Sequence, residues 1–123
     1  MKAQEHNNTV DNSNKLAVVW TSGDIEVAEK MVFMYVTNAM KQGWFDEVSF
    51  IVWGPSSKLL SENESLQKRI KEMQEIGIKV EACIHCANIY GIADNLQALN
   101  IDIKGMGAPL SNYIKNGWKT LSF

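Results

Sequence analysis

The sequence predicts an α/β fold: a three-layer α/β/α domain on a five-stranded parallel sheet, with flavodoxin- or Rossmann-like topology. Three observations predict it. Short apolar runs alternate with amphipathic helical segments in the order β-α-β-α-β-α-β-α-β, and such alternation belongs to parallel sheets with helices on both faces. The first two runs are continuously apolar, as strands buried on both sides are. The chain has 123 residues, 46% of them hydrophobic, which is enough for one domain around one core.

Residues 1–14 carry almost no apolar side chains and several asparagines. They bury too little surface to offset the entropy of ordering, so a flexible polar tail is expected there, with the domain occupying 15–123. Leu16-Ala17-Val18-Val19-Trp20 is the first strand, ending in Thr21-Ser22-Gly23-Asp24. Asp24 is placed to cap the helix that follows. Ala28, Met31, Val32, Tyr35, Ala39 and Met40 recur at helical spacing, with Gly43 just past the end. Residues 48–53 form the second strand, closed by a loop at Gly54-Pro55-Ser56-Ser57. Leu66, Ile70, Met73 and Ile76 then mark one helical stripe, with Ser61 and Glu64 at capping-box spacing and Gly77 at the end. Residues 78–82 alternate apolar side chains with Lys79 and Glu81, a third strand. A helical stretch runs to about Leu99, divided or bent at Gly91. Residues 101–104 are a short fourth strand. Pro109, as the first helical residue, opens a last helix that Gly117 closes, and 118–123 make the fifth strand. The alternation of the last three strands suggests less central positions than those of the first two.

Charge narrows the function classes. Twelve Lys and Arg against fourteen Asp and Glu leave a net charge of −2, a poor basis for binding that lives on phosphate neutralisation, so no nucleic-acid partner is expected. No run approaches the roughly 18–20 apolar residues that span a bilayer, and the first residues lack the apolar run of a secretory leader. A cytoplasmic protein without a membrane partner is expected. In a reducing cytosol, two cysteines spaced C-x-x-C mean chemistry, a metal, or nothing.

Open α/β sheets bind ligands beyond the carboxyl ends of their strands. That edge holds Trp20, Ser22 and Gly23 after strand one, and Trp53 and Gly54 after strand two. It holds Cys83-Ile84-His85-Cys86 after strand three, and Gly105-Met106-Gly107 after strand four. Cys83 ends a strand where a helix begins, and the positive end of that helix favours thiolate over thiol. His85 is placed to tune that character as cation or base. Cys86 is close enough to resolve a disulfide or persulfide on Cys83. Against this stands the reading of both cysteines as small buried hydrophobes. Cys83, His85 and Cys86 give three crowded metal ligands with no second cluster, so no metal and no cofactor is expected. The glycine turns match neither the P-loop nor G-x-G-x-x-G. Ser56 and Ser57 read as loop or cap residues, not as a nucleophile elbow.

Several stretches resemble the DsrE/DsrF-like family: Val80-Glu81-Ala82-Cys83, continuing to Cys86-Ala87 and Tyr90-Gly91-Ile92; Gly105-Met106-Gly107-Ala108-Pro109-Leu110; and 114–123, IKNGWKTLSF. The resemblance implies a five-stranded parallel α/β/α domain that carries a persulfide on Cys83 in a sulfur relay. It also implies sulfur-donor and sulfur-acceptor partners, and assembly as trimers or hexamers. Cys86 departs from the relay pattern. The leading expectation is a sulfurtransferase-like carrier without independent turnover, with Cys83 as nucleophile, Cys86 as resolving partner and His85 as tuner. Two alternatives stand beside it: a dithiol redox protein, and a non-catalytic module whose edge pocket is walled by Trp20, Trp53 and Met106. The many bulky apolar side chains also predict a homo-oligomer.

Overall fold

A computed structural model describes residues 11–123. In it β1 (Lys15–Trp20) pairs in parallel with β2 (Glu47–Val52), and β2 with β3 (Lys79–Cys83). Strand β3 pairs with β4 (Asp102–Lys104), and β1 with β5 (Lys119–Ser122), giving the order β4-β3-β2-β1-β5. Strand β3 is therefore interior, unlike the expectation from its alternation. The polar residue that produces the alternation, Glu81, is itself buried.

The connections explain where the helices lie. From β1 to β4 every crossover steps one strand in the same direction, and right-handed crossovers of one direction lie on one face. That face receives α1 (Ile25–Val27), a π-helical turn (Ala28–Val32) and α2 (Phe33–Lys41), which follow one another directly. It also receives α3 (Pro55–Glu62), α4 (Glu64–Glu75), α5 (Ile84–Tyr90) and α6 (Ala93–Gln97). The last crossover reverses direction across the whole sheet, so α7 (Gly107–Lys115) is the one helix of the described residues on the opposite face. The core divides accordingly. Leu16, Val18, Trp20, Phe50, Val52, Val80 and Ala82 face the six-helix layer with Val32, Phe33, Leu66, Ile70 and Met73. Ala17, Ile51, Cys83 and Met106 form a smaller cluster on the α7 side.

Local signals are largely obeyed. Asp24 caps α1, its carboxylate accepting from the backbone N–H groups of Glu26 and Val27 at 2.8 and 3.3 Å. Gly91 ends α5 in the left-handed conformation, φ 68°, and so divides the stretch before Leu99. Three expectations are corrected. The segment expected as a loop at 54–57 starts α3, with Pro55 in its first turn, where the missing N–H costs nothing. The cap of α4 is Asn63, accepting from Leu66 N–H at 2.9 Å, because the helix ending at Glu62 leaves Asn63 as the extended residue. Ser61 instead donates to the Lys58 carbonyl. The last helix begins at Gly107, which puts Pro109 at its third residue.

Of the tail expected over 1–14, residues 1–10 lie outside the described residues. Asn12 donates to the Asn116 carbonyl, and the Asn14 carbonyl accepts from Asp46 N–H, each at 2.8 Å.

Candidate functional site

The reversal of winding locates the crevice. Strands β3 and β4 are neighbours, yet β3 runs into α5 on one face and β4 into α7 on the other. Their carboxyl ends are thus a topological switch point, where this architecture leaves room for a ligand. Cys83 ends β3 there, in register with Lys104 at the end of β4.

Cys83 is only 2% exposed, packed with Ala17, Ile51 and Met106, and with Trp53, Cys86 and Leu110 at the margin. Its place at the carboxyl edge therefore does not leave the Cys83 thiol open to solvent. Cys83 alternates with Glu81 on the α7 side of β3, and Met106, fully buried, packs in the same cluster as Cys83. The residue is the N-cap of α5 in extended conformation, φ −78°, ψ 122°, and its side chain makes no hydrogen bond to the helix. Cys86, three residues on, is half-buried. Burial is the largest influence on its thiol and pushes its pKa up. A Gly54 backbone N–H pulls the other way, and contact with the Cys83 thiol adds to the rise. His85 is exposed and, among the described residues, enters no hydrogen bond or ion pair. Among those residues no three His, Cys, Asp or Glu side chains are grouped to hold a metal ion.

The other predicted residues separate. Gly54 reaches Cys86 because its backbone adopts φ 91°, ψ −145°, a conformation open essentially to glycine. Trp53 is half-buried beside Cys86 and Met106. Trp20 is corrected: it is fully buried on the other side of the sheet, between Phe33 and Phe50, and cannot share a pocket wall with Trp53. Register explains this, since Trp20 pairs with Val52 and Trp53 lies one residue further, on the opposite face. Ser22 accepts from Asp24 N–H at 3.1 Å and donates its own N–H to the Phe123 carbonyl, so it serves the turn and the end of the chain. Gly23 lies against Pro55, in a shallow groove of about 300 Å³ with Lys58, Leu59, Glu62 and Tyr90 that neither cysteine lines. Ser56 and Ser57 are buried in α3, where Ser56 donates to the Trp20 carbonyl. Gly107 is exposed where α7 begins.

Sequence reasoning missed a polar cluster two residues below Cys83 on the same face. Glu81 is 1% exposed. Its Oε1 accepts from the Tyr113 hydroxyl at 2.6 Å, and its Oε2 lies 2.8 Å from Lys104 Nζ. Ser49 donates to the same hydroxyl at 3.1 Å, and Lys104 also binds Asp102. The cluster ties α7 to β2, β3 and β4. The helix needs it, since none of its own residues is fully buried. Burial, then the Glu81 carboxylate, push the Tyr113 hydroxyl up from 10 to about 12. Asp102 and Glu81 hold the Lys104 ammonium above its usual range. The missed signal was a lone acid at an alternate position of an otherwise apolar strand.

A thiol pair at the switch point of a 43215 parallel sheet defines the class: a small α/β domain with candidate thiol chemistry at its carboxyl edge. The chain belongs to the DsrE/DsrF-like family, which it matches over residues 14–123. It is similar to the structure of a conserved protein of unknown function from Bacteroides thetaiotaomicron. That likeness has 37% identity and a TM-score of 0.85, and it covers 89% of this chain and 95% of that one. Two more distant likenesses show the fold. A protein of unknown function from Methanobacterium thermoautotrophicum has 14% identity and a TM-score of 0.74 over 89% of this chain and 98% of that one. The ychN protein from E. coli has 14% identity and a TM-score of 0.67 over 89% and 99%. No curated protein matches the chain. No helix of the described residues is long and apolar enough to cross a membrane.

Proposed function

We propose that the protein is a cytoplasmic sulfur carrier that accepts sulfane sulfur on Cys83 from a donor protein and yields it to an acceptor. The observation behind this reading is the Cys83 thiol at the β3/β4 switch point, in contact with the second thiol of Cys86. In loading, the Cys83 thiolate attacks the terminal sulfur of a donor persulfide. The donor S–S bond breaks, the donor leaves as a thiolate and takes up a proton, and Cys83 becomes Cys–S–SH. Unloading repeats the step with the acceptor thiol as nucleophile. Burial suits a carrier, because a sulfane sulfur under Met106 is kept from stray thiols between partners. Loading then requires Met106 to move. It stands between Gly105 and Gly107, two exposed glycines whose backbones accept many conformations.

The test is incubation with a cysteine desulfurase and cysteine, followed by intact mass measurement. Wild type is expected to gain one sulfur atom and Cys83→Ser none; equal labelling of the two overturns the carrier role.

Self-association is part of the proposal. Met31, Met34 and Trp44 stand 44%, 50% and 52% exposed around one shallow groove, and Ile114 and Leu121 are 57% and 40% exposed near the β5 edge. Apolar exposure on this scale favours contact between copies. Sedimentation at micromolar concentration is expected to show an oligomer, and a monomer there contradicts it.

A further inference from the structure

The two cysteines occupy the N-cap and the third residue of α5, the pair of positions a capping box links across the first turn. Both thiols are free, and Cys83 makes no hydrogen bond to the helix N–H groups it caps. They touch each other within one apolar cluster, with Cys83 inside and Cys86 toward solvent. Contact between the two thiols is the first requirement for a disulfide between them. Of the two, Cys86 is the one an external thiol reaches without displacement of Met106.

We propose that Cys86 discharges a persulfide on Cys83 from within, closing a Cys83–Cys86 disulfide and expelling the carried sulfur as sulfide. The proposal rests on the carrier reading above and adds a second exit to it. The Cys86 thiolate attacks the Cys83 Sγ, the bond from Sγ to the outer sulfur breaks, and that sulfur leaves as HS⁻ with its electron pair. The sulfane sulfur is reduced to sulfide while the two cysteine sulfurs are oxidised to the disulfide, so no external oxidant enters. A dithiol reductant, attacking at Cys86, restores both thiols. Which exit is taken depends on whether an acceptor arrives before the inner reaction. Burial pushes the Cys86 thiol up and so keeps it protonated at neutral pH, which gives the acceptor time. The first cysteine of this C-x-x-C is the inner one, so the pair is arranged to release a cargo and not to present an exposed nucleophile to substrate disulfides.

The reduced full chain is loaded with inorganic polysulfide, desalted, and followed by intact mass and by sulfide release. Wild type is expected to lose the added sulfur, liberate one sulfide per chain, and end two hydrogens lighter than the reduced protein. Cys86→Ser and Cys86→Ala are expected to keep the added sulfur at least about tenfold longer and to release no sulfide, since the intramolecular reaction is gone. If both variants take up sulfur but wild type retains it as long as they do, the inner discharge is overturned and the carrier reading stands. If neither variant takes up sulfur while remaining folded by circular dichroism, the carrier reading itself fails.

Discussion

Replacing Trp20 with alanine is expected to cost about 3–5 kcal/mol of folding free energy, a large share of the ~5–15 kcal/mol that holds a domain of this size together. Trp20 is fully buried at the end of β1. Its ring stacks on Phe50 at 5.6 Å between centroids and meets Phe33 edge-on at 5.0 Å, while Phe33 meets Phe50 at 5.4 Å. Truncation removes the middle of that triangle and leaves a cavity under α2 that the packed helices cannot fill. Trp20→Phe is expected to cost much less, because the buried indole N–H has no hydrogen-bond partner among the described residues and loses nothing when removed. Urea denaturation of the three proteins measures both differences. Alkylation of Cys83 in the folded fraction is expected to be unchanged, since Trp20 and Cys83 lie on opposite faces of the sheet. A loss of Trp20→Ala stability under about 1 kcal/mol would remove Trp20 from the core.

Glu81→Ala is expected to cost about 3 kcal/mol. It takes away the acceptor of the Tyr113 hydroxyl, leaves Lys104 with Asp102 among the described residues, and opens a gap beneath α7. Glu81→Leu fills the gap and is expected to recover the packing part of the loss only, because Tyr113 and Lys104 still lack the carboxylate. The same cluster predicts an alkaline limit. The Tyr113 hydroxyl is raised in the fold, so its contribution is complete below pH 10 and is lost as pH climbs from 10 toward 12. The raised Lys104 acts in the same direction at still higher pH. The urea midpoint of wild type is expected to fall across that window more steeply than that of Tyr113→Phe. Equal slopes would show that the buried hydroxyl contributes nothing. Because α7 follows Met106 directly, these variants are also expected to raise the alkylation rate of Cys83.

Much of the architecture is legible in residue order. Continuous apolar runs mark β1 and β2, helical stripes mark α2 and α4, and Asp24 and Gly91 sit at helix ends where their backbone chemistry demands. Helix α3 escaped because Gly54-Pro55-Ser56-Ser57 has the composition of a turn, although proline is equally at home in a helix's first turn. The candidate site was legible as an address, Cys83 at a strand end, and illegible as an environment. Glu81 illustrates the limit. A charge at an alternate strand position signals a solvated face unless partners from elsewhere neutralise it, and its partners come from positions 104 and 113.

Local periodicity and capping thus determined the α/β alternation, the parallel sheet and the place of the thiols along the chain, because each depends on neighbours within a turn or a strand. Which face each side chain meets was decided only by the tertiary structure. Inter-strand register set Trp20 against the helices and Trp53 against the opposite side, and the reversed last crossover brought α7 and Met106 over Cys83. Burial of a strand residue depends on what is laid across the sheet, and here that cover comes from the far end of the chain.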